Sequence, residues 1–352
     1  MKQFVGGCLV LAVLIGAWLV WGPTPVSAAT EGFNVITSPL PIKITTAPGK
    51  TVTTQLRIKN QGDQPEGIKV GLMKFGATGN SGTPDLYELT PKDTYASWVH
   101  FSPQQFTAQP NIWNTVTMTI AVPASADLGY YLAVTFSPAS QPGVPDSTEL
   151  KGAAATLVLL DVKTPNEKRA LQLVSFSTDH ELYEYLPVNF TITVHDNGNI
   201  YLAPAGNIFV QRGQKTIETL DFNDAGGSVL PGSNRLFTVP WNDGFPVYKE
   251  KLVNDMPVPN KHDVPEESLH WNFAQASKFR IGKYNAKLLV VYNNGTDDVP
   301  LEATVSFWVL PWKLMLLLLA VLALIGFGIF TIAKSVVNKV RGVGKQRRHE
   351  QS

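Results

Sequence analysis

His195 and Asp196 stand side by side where the alternating run "LPVNFTITVHDNG" breaks. A histidine next to a carboxylate is the pairing that hydrolases use as a general base and its orienting partner. No Gly-x-Ser-x-Gly element accompanies the pair, and the only cysteine, Cys8, lies in the N-terminal apolar segment. With no nucleophile in reach of the pattern, Asp196 reads as the cap of the Asn-Gly turn that follows it. No catalytic residue is assigned, and the chain is expected not to be an enzyme. A second group, "HDVPEESLH", holds His262, Glu266 and His270, side chains that can ligate zinc. Pro265 interrupts it and its spacing matches no compact helical motif, so a solvated acidic loop competes with the metal reading and no cofactor is expected. "NDAGG" (223–227) and "NNGTDD" (293–298) carry oxygen ligands but lack the spaced ligand order of a calcium loop, which leaves turn chemistry as their reading. Of the tryptophans, Trp98 and Trp241 fit core or edge packing. Trp271 is the candidate for an exposed ring that stacks on a glycan.

The elements that must position these residues are strands. "TVTTQLRIKN", "NTVTMTIAVP", "GYYLAVTFSP" and "ATLVLLDVKT" follow one another at short spacing, and "LPVNFTITVHDNG", "NRLFTVPW", "YNAKLLVVYNNG" and "LEATVSFWVL" repeat the pattern later. Short strands bounded by Gly, Pro and Asn predict an all-β fold of two tandem immunoglobulin-like β-sandwiches. The first spans residues 30–163, a polar linker 164–169, and the second 170–310. A Pro-rich loop (137–152) decorates the first, and a charged insertion (242–271) decorates the second and is its most specialised segment. The blocks resemble each other: "IKNQGDQPEGIKVGL" and "VHDNGNIYLAPAGNIFV" both run strand, Asn/Gly corner, Pro-x-Gly, strand. A corner needing positive φ suits Asn and Gly in either block.

The ends set the topology. Residues 1–29 combine Lys2, an apolar run and Val26-Ser27-Ala28-Ala29, the pattern of a secretory signal peptide cleaved after Ala28 or Ala29. "LMLLLLAVLALIGFGIFTIA", Leu314 to Ala333, is free of charge and long enough to cross a hydrocarbon core of about 30 Å. The membrane helix is placed at 311–333 and a basic tail at 334–352, with Lys334, Lys339, Arg341, Lys345, Arg347 and Arg348 against Glu350. Basic residues stay in the cytoplasm, so the sandwiches are expected outside. The net charge of +1 therefore hides an acidic exported part, which argues against a nucleic-acid partner. Loss of Cys8 with the leader leaves no disulfide, which suits a bacterial envelope more than an animal extracellular space.

These segments resemble bacterial cell-surface proteins of the WxL-interacting type. "ITTAPGKTVTTQLRIKNQGDQPEGIKV", "VPASADLGYYLAVTF" and "LVLLDVKT" carry the likeness in the first block; "DNGNIYLAPAGNI", "VLPGSNRLFTV" and "FRIGKYNAKLLVVY" carry it in the second. The resemblance implies a signal peptide, two immunoglobulin-like domains, one C-terminal membrane helix, and binding of a cell-wall polymer or another surface protein. "TVTTQLRIKNQG" is also similar to the opening strands of pilus-chaperone-like domains, which leaves an accessory subunit of an export or secretion assembly as the alternative. A third reading is an envelope hydrolase with its site in the insertion.

Overall fold

The alternating runs form strands whose inward residues are apolar, and their pairing divides the chain into two sandwiches. The computed structural model describes residues 33–139, 153–253, 256–260 and 264–349; the leader, most of the Pro-rich loop and His262 lie outside the described residues. The first sandwich contains β1 (Val35–Ser38), β2 (Ile42–Thr46), β3 (Thr51–Asn60), β4 (Glu66–Ala77) and β5 (Pro84–Tyr87). It continues with β6 (Val99–Ser102), β7 (Gln105–Ala108), β8 (Trp113–Ala121), β9 (Leu128–Pro138) and β10 (Ala154–Val162). One sheet has the order β1-β3-β8-β6 and the other β2-β10-β9-β4-β5, with β7 also on β4. Leu56, Ile58, Val116, Met118 and Ile120 of the first sheet pack on Val70, Leu132, Val134, Val158 and Leu160 of the second.

The second sandwich repeats this wiring. It contains β11 (Leu171–Thr178), β12 (Leu182–Tyr183), β13 (Val188–Asp196), β14 (Ala205–Arg212), β15 (Lys215–Phe222) and β16 (Asn234–Trp241). The insertion supplies β17 (Val247–Glu250), β18 (Leu252–Val253), β19 (Met256–Pro257) and β20 (Glu267–His270), and β21 (Gly282–Asn293) and β22 (Asp298–Val309) close the fold. The sheets are β11-β13-β16 and β12-β22-β21-β14-β15. In both sandwiches the opening strand is split across the two sheets. Its first half pairs antiparallel (β1 on β3, β11 on β13) and its second half pairs parallel to the last strand (β2 on β10, β12 on β22). Trp241, fully buried, packs edge-on against Tyr284 and Phe307 at the centre of the second core.

Residues Leu310 and Pro311 join β22 to α1 (Trp312–His349). Its first 24 residues, Trp312–Ser335, form an apolar stretch long enough to cross a membrane, and none of it is covered by the sandwiches. The helix runs on past this apolar stretch through the basic segment to His349.

Candidate binding site at the domain junction

His195 and Asp196 are consecutive residues of β13, so the pleat sends their side chains to opposite faces. His195 lies opposite Asn234 on β16, with its Nδ1 2.7 Å from Asn234 Oδ1. Asp196 points inward and is fully buried, and its Oδ1 accepts the Gly198 N–H at 2.7 Å. The two cannot work as a dyad on one substrate atom. In the first sandwich Asn60 holds the same position, at the end of β3, and its Oδ1 accepts the Gly62 N–H at 2.8 Å. Both residues close an Asx turn that takes the chain from one sheet to the other.

In the second sandwich this corner also clasps the linker. Asn197 N–H donates to Ala170 O (2.8 Å) and Asn199 N–H to Lys168 O (2.9 Å). The Asn199 side chain accepts from Lys168 N–H (2.7 Å) and donates to Asn166 O (2.8 Å). Gly198 sits so close that a Cβ there would lie 2.3 Å from Lys168 O. Four consecutive residues, "DNGN", thus hold the segment that connects the domains.

The junction is apolar on the side of the first sandwich. Phe75, Ala133 and Leu159 cover the outer face of β4, β9 and β10, and Tyr201 and Leu230 of the second sandwich pack against them. Tyr131 stacks edge-on between Phe75 and Tyr201 at 5.9 and 6.4 Å. This explains the unbroken apolar stretches in "LVLLDV" and "YYLAVTF": strands covered on both faces have no polar side to alternate with. That signal was present in the sequence, and it marks the junction residues that motif reading passed over.

Burial raises the carboxyl of Asp196 to about 6, against a weaker opposing pull from the Gly198 N–H and His195. Asp161, on the neighbouring β10, is also pushed up, by burial first and Glu167 second, with Arg169 at 3.7 Å opposing. The Tyr131 phenol is pushed up by burial. Tyr131 Oη, Asp161 Oδ1 and Asp196 Oδ2 are buried with no hydrogen-bond partner.

Beside this seam a cleft of about 390 Å³ opens between the domains, walled by Phe75, Leu157, Leu159 and Leu230 and reached by Arg235. Arg235 Nη1 donates to Ser228 O (2.7 Å), its guanidinium lies over Phe237 at 5.2 Å, and its Nε is buried without a partner. Across the junction Lys43 Nζ donates to Gly226 O at 2.8 Å. Burial lowers the proton affinity of both, and for Lys43 the neighbouring Arg235 adds to it. Among the described residues neither forms an ion pair. Arg235, half-buried and satisfied by a carbonyl, favours an incoming anionic group, with the exposed Lys43 at the margin of the cleft on Gly226 O, and the walls favour an apolar group.

The other candidates fall elsewhere. Glu266 forms an exposed ion pair with Lys251 (3.2 Å), while His270 lies opposite Val247 on β17. The two are four residues apart along an extended segment, about 13 Å, so they are not brought together. No group of three metal-ligating side chains occurs among the described residues. The Asn223 side chain bonds Gly227 O and Gly227 N–H within its own turn and also Pro204 O, and Asn294 Oδ1 accepts from Thr296 and Asp297 within its turn. Trp271 is 45% exposed, in an aromatic group described below, and Trp98 packs on Tyr95 and Tyr130.

No family model matches the sequence, and no curated protein matches it either. The WxL-interacting resemblance rests on the quoted motifs alone. Among solved structures, the class 5 fimbriae chaperone CfaA is similar at 10% identity and TM-score 0.36, over 76% of this chain and 98% of that one. The Pseudomonas aeruginosa CupB2 chaperone is similar at 9% identity and TM-score 0.31, over 78% and 100%. A PapD-like domain of human CEP192 is similar at 19% identity and TM-score 0.26, over 38% and 87%. These likenesses are distant, and the two-sandwich fold of this chain rests on its own strand order.

Proposed function

We propose that the chain is a membrane-anchored protein of the bacterial cell envelope that acts by binding, with the junction cleft as its binding site. Its sandwiches stand outside, the apolar part of α1 crosses the membrane, and the basic end of the helix lies inside. The partner is a surface protein or wall polymer that offers an apolar segment with an anionic group. The observation that carries this reading is an apolar cleft lined by Arg235, a half-buried cation held by the Ser228 carbonyl, with the exposed Lys43 bound at its margin to the carbonyl of Gly226.

Strand addition at a free edge is the weaker mode. The long outer strand β15 carries Lys215, Glu218 and Asp221, and β11 is bulged between Leu173 and Ser175. Charges and bulges are how sheets discourage edge pairing. Full-length protein in non-ionic detergent is expected to retain isolated cell-wall polymer or a crosslinked surface protein. Lys43→Met with Arg235→Gln removes charge-assisted hydrogen bonds worth about 1.5–3 kcal/mol each, so retention should fall tenfold or more. Lys43→Met alone leaves the Arg235 packing intact and should show part of the loss. Unchanged retention in variants that melt like the parent would refute the assignment.

A further inference from the structure

The membrane end of the second sandwich is built differently from its junction end. β16 ends at Trp241, β12 ends beside Val309, and β21 starts opposite Val309, so three connections emerge where β22 hands over to α1. Glu184, between β12 and β13, ties this end to the helix: its Oε2 lies 2.7 Å from Lys313 Nζ and accepts from Tyr248 Oη at 3.3 Å.

From that point aromatic rings run outward through the insertion. Tyr185 meets Tyr248 and Trp271 at 6.2 and 6.4 Å, and Trp271 stacks on Phe273 at 6.2 Å. Phe245 backs both, at 5.6 and 5.4 Å. Phe273 is 74% exposed and Trp271 45%, whereas Phe245 behind them is buried. Phe279, 39% exposed, forms an isolated parallel bridge with Phe245, which brings it to the same group of rings. Trp308 and Trp312, 49% and 45% exposed, stand on the helix side. Exposed aromatics grouped at one level mark either an interface or a folding liability. At the entry of an apolar span, that level is where the headgroups of a bilayer lie.

We infer that Trp271, Phe273 and Phe279 seat in the outer headgroup layer of the membrane that α1 spans, fixing the second sandwich against the bilayer as a second, monotopic contact. This rests on the reading of α1 as a membrane span. The occupant is lipid, because the patch is tethered through Glu184 and Lys313 to the first turn of the helix. The contact is apolar in kind, carried by the rings, while Lys278 and Arg280 share Asp243 and Lys251 pairs with Glu266. It therefore does not depend on anionic lipid.

The test uses the full chain in phosphatidylcholine vesicles, in a Cys8→Ser background, with a single nitroxide at Phe273→Cys and, separately, at Phe279→Cys. Labels at Leu322→Cys and Thr53→Cys report the span and the outer face of the first sandwich. The expected result is high oxygen and low nickel-chelate accessibility at 273, 279 and 322, with the reverse at 53, unchanged when phosphatidylglycerol is added. Water-like accessibility at 273 and 279 with lipid-like accessibility at 322 overturns the inference and leaves the span intact. Water-like accessibility at 322 overturns the span reading and this inference with it. Protection of 273 only on adding wall polymer gives the surface to a glycan and overturns the lipid assignment.

Discussion

Replacing Asp196 by Asn isolates the cost of burying a carboxylate at the domain corner. The side chain is fully buried, with Oδ1 held by the Gly198 N–H and Oδ2 unpartnered. Its carboxyl is raised from 3.8 to about 6, burial being the largest cause. A raised carboxyl means that the folded state binds more protons than the unfolded one at intermediate pH. Stability therefore falls as pH rises from about 4 to about 6 and is flat above that. A shift of about two units corresponds to roughly 3 kcal/mol. Asn keeps the acceptor for Gly198 but does not titrate, and the cost of its unpaired amide is independent of pH. The difference in unfolding free energy between parent and Asp196→Asn should thus move by roughly 3 kcal/mol in favour of the variant between pH 4 and pH 7.5. For a sandwich of this size that is a relative melting shift of roughly 6–12 °C. The measurement is thermal unfolding of both full-length proteins in non-ionic detergent across that pH range, followed by tryptophan fluorescence. Asp161 and the other carboxylates cancel in the difference. A difference that stays flat with pH, or that moves toward the parent, refutes the account of Asp196 as a buried, poorly compensated charge.

Gly198→Ala drives a Cβ to 2.3 Å from Lys168 O and 2.9 Å from Asp196 Oδ1, so it is expected to cost about 2–3 kcal/mol and to open the linker clasp. Hydrogen exchange should then speed up at the Asn197 and Asn199 amides before it does in β3 or β8; protection equal to the parent's would count against the clasp. Trp241→Ala empties the centre of the second core between Tyr284 and Phe307 and should cost about 3–5 kcal/mol. Exchange in β13, β16 and β22 should rise while β3 and β8 keep their protection; loss of protection in both sandwiches together would show that they unfold as one unit.

The sandwiches were legible because one periodicity, period two with Gly, Pro and Asn at the breaks, carries the fold and recurs in both halves. "TVTTQLRIKN" and "LPVNFTITVHD" became corresponding strands, and the likeness of their corners reflects Asn60 and Asp196 closing the same turn. The insertion, in contrast, is set by the ring contacts of Phe245, Trp271 and Phe273, which no spacing rule anticipates. The junction was half legible. Unbroken apolar residues in "LVLLDV" announce a strand covered on both faces, but nothing local says what covers it, since Leu230 and Tyr201 arrive from far along the chain. Lys43 and Arg235 look like ordinary surface cations in sequence; only the fold sets Arg235 half-buried in the cleft wall with Lys43 at its margin.

The two ends of the second sandwich divide its work, and strand direction dictates the division. β13, β15 and β21 run toward the first sandwich and end at Asp196, Phe222 and Asn293; there Asp196, Asn223 and Asn293 bond their own turns, and Asn199, just past β13, bonds the linker. β16 and β22 run the other way and finish in Trp241 and Val309, next to aromatic rings and the helix. An end made of short polar side chains spends its hydrogen bonds locally and holds its neighbour at a fixed angle. An end made of exposed rings is left uncovered among the described residues. If the cleft at the first end binds a partner, the rings at the second decide how high above the membrane that partner is held. Height and cleft angle are then separately adjustable: shortening the Phe273 side chain should change the lipid contact without altering retention through Lys43 and Arg235. A Phe273→Ala variant that lost partner retention in detergent, where no bilayer is present, would show that the two ends are not independent.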